Sequence, residues 1–271
     1  MKRLIAPLFL SAAFQLAAQN NIDSLINAEK SFAAYSVAHG TRAAFLSFLD
    51  SNGVVFDQGK AVNGIQVWEK RKNAPMILNW KPQYVELASS NDFGYTTGPW
   101  ELKASATADS IVARGRFTTV WHLNADSYWK CLVDLGVGNS PKDLPLTVEK
   151  ISKEKLGGDT SLDQLRQAEK DFIDEYRRDK LAAYQAHLSK KSILMRNGPF
   201  HPATEKKPQS QMIKHTPADI EFDIVGSGMS GSGDLAFVYG NTVLNSKREN
   251  YLRIWRREKT GWKIAVEVLR Y

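Results

Sequence analysis

Two glutamates stand at corresponding places on two helical stripes. Glu29 follows Ile22 by seven residues and precedes Phe32 by three; Glu169 follows Leu162 by seven and precedes Phe172 by three. Spacings of three, four and seven place side chains on one helix face, so each carboxyl is expected on an apolar, buried side. A carboxyl in such a place is either paired or shifted in its ionisation. A raised pKa suits a general base. A bond from a sheet Arg or Trp nitrogen or a Tyr hydroxyl suits a structural anchor instead, and its occurrence twice favours the anchor. Asp134 and Glu267 match each other on the last strand of each half, where a carboxylate either moves protons inside a pocket or faces solvent.

Aromatic residues form the second constellation. Trp68, Trp80, Tyr95, Trp100 and Trp121 are expected to line an apolar cavity, partly or wholly, with Arg116 as the anchor for an anionic group. Later in the chain Gly98-Pro99-Trp100 becomes Gly240-Asn241-Thr242, and Trp68 and Trp80 have no counterpart, so a ligand pocket is expected in the earlier half. His122 follows Trp121 where the later half has Arg256. His187 sits on a helix, and His201 and His215 precede the second sheet, where either fits a pocket rim. Nothing has metal-ligand spacing, so neither a metal nor another cofactor is expected.

The elements that must position these residues are written twice. Ala28-Glu29-Lys30-Ser31-Phe32 recurs as Ala168-Glu169-Lys170-Asp171-Phe172, and Ala43-Ala44-Phe45 with Leu49 as Ala182-Ala183-Tyr184 with Leu188. Val54-Val55-Phe56 answers Ile193-Leu194-Met195, Asp92–Gly98 answers Asp234–Gly240, and Val120-Trp121 with Trp129-Lys130 answers Ile254-Trp255 with Trp262-Lys263. Matches in one order at a nearly constant offset indicate two copies of one domain. The expected division is residues 20–137, a polar linker 138–160 holding Pro141, Pro145, Gly157 and Gly158, and residues 161–271.

Each copy begins with helical spacing. Gly40-Thr41 ends one helix and starts the next; Ser161, with Gln164 three residues on, and Asp179 are helix caps. A short strand follows (54–57 and 192–196), then a short helix (64–71 and 205–215). Four strands complete each copy, at 81–89, 93–103, 111–122 and 128–137, and at 219–225, 235–244, 250–257 and 262–269, with alternation visible in Phe117, Thr119 and Trp121. The Gly226–Gly233 run reads as a mobile hairpin tip rather than a phosphate loop, because no helix start or Lys-Ser/Thr pair follows it.

Composition excludes several classes. A chain of 271 residues that is 43% hydrophobic and 24% charged is globular rather than disordered. One cysteine, Cys131, excludes a disulfide framework and reads as a buried small hydrophobe. Lys2-Arg3, the apolar run Leu4–Ala18 and Ala17-Ala18-Gln19 read as an export signal over residues 1–19. A periplasmic or secreted protein is therefore expected, with no membrane insertion after cleavage. The net charge of +7 concentrates in residues 161–271, with 19 Lys/Arg against 14 Asp/Glu. Those cations are dispersed among acids, so a solvated face, not a nucleic-acid site, is expected.

Helices followed by antiparallel strands make an α+β pattern. The stretch Asp92-Phe-Gly-Tyr-Thr-Thr-Gly-Pro-Trp-Glu101, with Gly115–Trp121 and Trp129–Gly136, resembles the SnoaL-like group of the nuclear transport factor 2-like superfamily, nearest its uncharacterised exported bacterial branch. The resemblance spans about 117 residues of the first copy and, more loosely, the last 110. It implies two tandem cone-shaped domains, each with N-terminal helices packed on a strongly curved antiparallel sheet around a pocket. Members include ketosteroid isomerases, polyketide cyclases, dehydratases and binding domains, so fold alone does not decide function. Three readings follow. The first is non-catalytic binding of a small apolar or weakly anionic molecule. The second is an isomerase, cyclase or dehydratase with Glu29, Asp57 or Asp134 as base and Tyr95 as oxyanion donor. The third is an interaction module. Superfamily members pair sheet to sheet, so the two copies are expected to form that pair within one chain. A carboxylate or His beside a Tyr in the pocket marks the enzyme, a pocket without that pair marks the binding protein, and pockets filled by side chains mark the interaction module.

Overall fold

The computed structural model describes residues 10–108, 110–138, 147–151 and 154–271. Residues 1–9 of the expected export signal lie outside them, as do 139–146 and 152–153 of the expected linker. Among the described residues no helix is long and apolar enough to cross a membrane.

The first half runs α1 (Leu10–His39), α2 (Thr41–Phe48), β1 (Leu49–Asp57), β2 (Lys60–Asn63), α3 (Gly64–Lys70), β3 (Ile77–Trp80), β4 (Tyr84–Leu87), β5 (Phe93–Lys103), β6 (Ile111–Leu123) and β7 (Trp129–Gly138). Gly40, at φ 88°, turns the chain between α1 and α2, a conformation that costs glycine nothing. The Asn63 side chain caps α3 by accepting from the Gln66 N–H. The strands form one sheet in the order β2-β1-β7-β6-β5-β4, with β3 pairing the far end of β5. Pairing is antiparallel except that β1 runs parallel to β7. A two-residue strand, β8 (Glu149–Lys150), adds a parallel edge beside β4 and buries Ile151. Part of the stretch expected as linker thus belongs to this sheet.

The second half repeats the order with α4 (Leu162–Arg178), α5 (Lys180–His187), β9 (Leu188–Arg196), α6 (Lys206–His215), β10 (Glu221–Met229), β11 (Leu235–Leu244), β12 (Lys247–Glu258) and β13 (Gly261–Leu269). Its sheet order is β10-β11-β12-β13-β9, again with one parallel pair, β9 beside β13. Ser161 accepts from Asp163 N–H and Asp179 from Ala182 N–H, as caps. Gln164 does not close a capping box; its side chain accepts from Arg257.

The chain is therefore α+β, two cones in tandem, each closing helices over the inner face of a bent, mainly antiparallel sheet. Inner-face cores follow the periodicity: Leu25, Phe32, Phe45 and Trp121 cluster in the first cone, and Leu165, Phe172, Tyr184 and Trp255 in the second. The outer faces share a third cluster. Tyr95, Val120, Val133 and Leu135 from the first sheet pack with Ile193, Leu252, Ile254 and Val266 from the second. Within that apolar contact Arg256 pairs with Glu86, its Nε lying 2.6 Å from Oε1, and both side chains are fully buried. Tyr95 donates to the same carboxylate at 3.0 Å.

The Gly226–Gly233 run is corrected here. Gly226–Met229 continues β10, with a register shift between Ile224 and Gly226, because glycine lets Tyr239 and Phe237 lie over the strand. The turn beyond it is docked rather than free. Gly231 N–H donates to Asp92 at 3.0 Å, and Ser232 N–H to Ser90 Oγ at 3.1 Å. Asp234 accepts from Ser89 N–H at 2.9 Å.

Candidate functional site

A cavity of about 780 Å3 opens between the helices and the sheet of the first half. Its apolar walls come from Phe45 on α2, Trp68 on α3, Leu78 and Trp80 on β3, Trp100 on β5 and Phe117 on β6. Phe45 and Trp68 stack at 4.4 Å, and the Arg71 guanidinium lies 4.4 Å over the Trp68 ring. Trp100 lies flat against the sheet because Gly115 and Gly136 leave it room: a Cβ on Gly115 would come within 2.4 Å of the indole. His39, Arg42, Arg71 and Lys72 also line the cavity, and the exposed Arg71 and Lys72 mark its rim. Volume and lining are those of small-molecule sites, roughly 300–1,000 Å3, apolar with few polar groups.

The polar groups inside are few. Asp134 projects from β7 and accepts from Thr119 Oγ1 at 2.8 Å. Burial pushes its carboxyl up to about 6, against the lowering influence of Thr119 and Arg270. Arg270, which follows β13 of the second half, reaches into this cavity of the first. Burial holds its guanidinium below the usual range. Two buried donors lining the cavity, Trp68 Nε1 and Arg270 Nε, have no hydrogen-bond partner among the described residues. Buried donors are nearly always paired, so unpaired ones in a cavity point to a bonding group supplied from outside.

Glu29 lies one layer behind this wall. It is fully buried and accepts from Trp80 Nε1, Thr96 Oγ1 and, at 3.0 Å, Trp121 Nε1. Burial pushes it up to about 7, only partly offset by those bonds. It does not line the cavity, but Trp80 joins it to the cavity wall. Trp121 is likewise spent on Glu29 rather than on the cavity. Of the expected ligand-lining residues, Trp68, Trp80 and Trp100 come together there.

Tyr95 and Arg116 are corrected by strand alternation. On β5, Thr96 and Trp100 face the cone, so Tyr95 faces outward, toward the second sheet. On β6, Phe117 and Thr119 face inward, so Arg116 points out, where it donates to Gln83. Neither lines the cavity, and no tyrosine stands beside Asp134. Asp57 pairs with Arg71 at 2.9 Å, with 43% of its side chain exposed, and does not line it either. Cys131 is buried, and burial pushes its thiol well above the usual range.

The histidines scatter. His122 contacts Asp50 at 2.9 Å, His187 contacts Glu175 at 3.0 Å, His215 contacts the Gln211 carbonyl at 2.7 Å, and His201 is exposed. None of these lines the cavity, whereas His39 does. Among the described residues no group of three or more His, Cys, Asp or Glu is placed to hold a metal.

The second cone treats its carboxylates differently. Glu169 accepts from Trp255 Nε1 at 2.8 Å, as Glu29 does from Trp121, but it also pairs with Arg253. Arg253 stands where the first half has Thr119, and it bridges to Glu267 at 2.6 Å. Arg196, matching Asp57, pairs with Glu267 at 2.5 Å. Burial alone would raise Glu267, but the two guanidinium groups outweigh it and hold it below the usual range.

No family model matches the chain, and no curated protein matches it. Similar solved structures include an NTF-2-like protein of unknown function from Shewanella oneidensis MR-1, 18% identical, covering 40% of this chain and 98% of that one with a TM-score of 0.32. A ketosteroid isomerase-like protein from Erwinia carotovora atroseptica is 20% identical, covering 39% and 92% with a TM-score of 0.34. A cystatin-like-fold protein of unknown function from Nostoc punctiforme PCC 73102 is 16% identical, covering 43% and 94% with a TM-score of 0.34. These are likenesses of fold.

Proposed function

We propose that the chain binds a small, largely apolar molecule with a weakly anionic group in the cavity of its first half. The observation that carries this reading is the tryptophan-walled cavity with cations at its rim and two buried donors left unpaired inside it. A binding protein needs that arrangement and no more. The isomerase reading expected Tyr95 as the oxyanion donor beside the base, and Tyr95 is engaged with Glu86 on the other face. The isomerase reading keeps one supporting observation, Asp134, a cavity carboxyl pushed up to about 6 and thus suited to proton transfer at carbon. An interaction module is disfavoured by the unfilled cavity.

The two cones are read as a pair docked sheet to sheet within one chain, supported by the shared apolar cluster and the buried Arg256–Glu86 pair. Export rests on the sequence of residues 1–19. Native mass spectrometry of the full chain, purified from a cellular extract without denaturation, tests the binding reading. Extra mass that is lost on denaturation is expected. A bare chain that also fails to quench or shift its tryptophan fluorescence with apolar probes contradicts it. Turnover of a β,γ-unsaturated ketone that vanishes in Asp134→Asn would move the assignment to the isomerase.

A further inference from the structure

The cavity belongs to the first half, yet one of its two unpaired donors does not. Arg270 directly follows β13 of the second sheet, and its backbone is pinned there, with N–H donating to the Asn250 carbonyl at 3.0 Å and C=O accepting from Thr242 at 2.7 Å. Among the described residues its buried Nε has no hydrogen-bond partner, and the carboxylates of Glu249 and Asp134 act on its charge through space. The other cations at the cavity are committed or solvated: Arg71 pairs with Asp57, Arg42 donates to the Glu69 carbonyl, and Lys72 is exposed.

We infer that Arg270 is the anion-recognition residue of this cavity, so that the second half completes the ligand site of the first and selects amphipathic monocarboxylates over neutral molecules of the same shape. The inference rests on reading the cavity as a ligand site and names the class of ligand. Guanidinium is the side chain best suited to a planar carboxylate, since its donors form a fixed fork. Trp68 Nε1 supplies a further donor toward the same space, and the indole walls take the apolar body. Asp134 does not oppose this occupant. Burial pushes its carboxyl up to about 6 against the lowering influence of Arg270, a bound anion raises it further, and once protonated it donates to a carboxylate oxygen. Arg116, the anchor expected from sequence, points out of the cone and cannot serve.

Dodecanoate and dodecanol are suitable probes, titrated into the folded full chain and read by tryptophan fluorescence. The carboxylate is expected to bind about tenfold to a hundredfold more tightly than the alcohol, the usual value of a charge-assisted hydrogen bond. Arg270→Met is expected to erase that preference while leaving dodecanol binding unchanged, Arg270→Lys to restore part of it, and Arg116→Met to leave it intact. Equal binding of the two probes by the unsubstituted chain overturns the inference without requiring any variant to fold. A preference that survives Arg270→Met overturns it as well. If neither probe binds to the folded chain, the cavity-binding reading falls and the inference falls with it; if both bind equally, only the inference falls.

Discussion

Both cones place a glutamate from the first helix against a tryptophan indole on the sheet, and both carry a second acid on the last strand. In the first cone Glu29 and Asp134 have only neutral hydrogen-bond donors, Trp80, Trp121, Thr96 and Thr119, and they stand at about 7 and 6 beside a cavity. In the second, Arg253 replaces Thr119 and Arg196 replaces Asp57, and Glu169 and Glu267 become members of a buried ion network. Arg253 lies among the rings of Phe172, Phe222 and Tyr251, its guanidinium 4.3–4.6 Å from their centroids. The same order of elements thus encloses a cavity in the first half and a packed, charge-filled interior in the second. The difference lies in the partners of the carboxylates, not in the carboxylates themselves.

The comparison breaks most visibly at Arg253. Arg253→Met leaves Glu169 and Glu267 buried without their shared cation and is expected to cost about 3–5 kcal/mol of unfolding free energy. Thr119→Val, at the equivalent place, is expected to cost about 1 kcal/mol. Urea titrations of the two variants check this, and equal costs would deny the difference. Next in size is the contact between the cones. Glu86→Gln leaves Arg256 buried without its full countercharge and is expected to lower stability by about 3 kcal/mol. It should also split one unfolding transition into two, visible in calorimetry.

A pH series sharpens the contrast further. The folded chain holds the protons of Asp134 and Glu29 more tightly than the unfolded chain does, so ionising them costs stability as pH rises from about 4 to 7. Asp134→Asn is accordingly expected to add about 1–2 kcal/mol at pH 8 and nothing at pH 4. Glu267 is depressed, so its contribution is present above the ordinary carboxylate range and lost as pH falls through its folded value. Glu267→Gln should therefore hurt at pH 7 and hurt less in acid. Denaturant midpoints at three pH values separate the two signs.

Much of the fold is legible in the sequence. The strands at 93–103 and 235–244 match their expected limits, because alternation on half-buried strands is a strong signal. The strand expected at 81–89 is the shorter β4, Tyr84–Leu87, and a strand not expected, β3, Ile77–Trp80, precedes it across Lys81, Pro82 and Gln83. Proline cannot donate to a ladder, and that break was available in the sequence. The site was harder. Which face a strand turns inward depends on its register with neighbours, and for β5 and β6 that decided Tyr95 and Arg116 against the cavity. Arg270 could not have been found by searching the first half for cations, because it follows β13 of the second half. His39 lies at a helix end with no pattern to mark it.

The seven tryptophans make the central claim directly measurable. In a nitrogen-15 indole spectrum titrated with dodecanoate, Trp68 is expected to shift most, with Trp80 and Trp100 following, while Trp255 and Trp262 in the second cone stay still. Shifts centred on Trp255 or Trp262, or none at Trp68 at saturating probe, would contradict a single ligand site in the first cone.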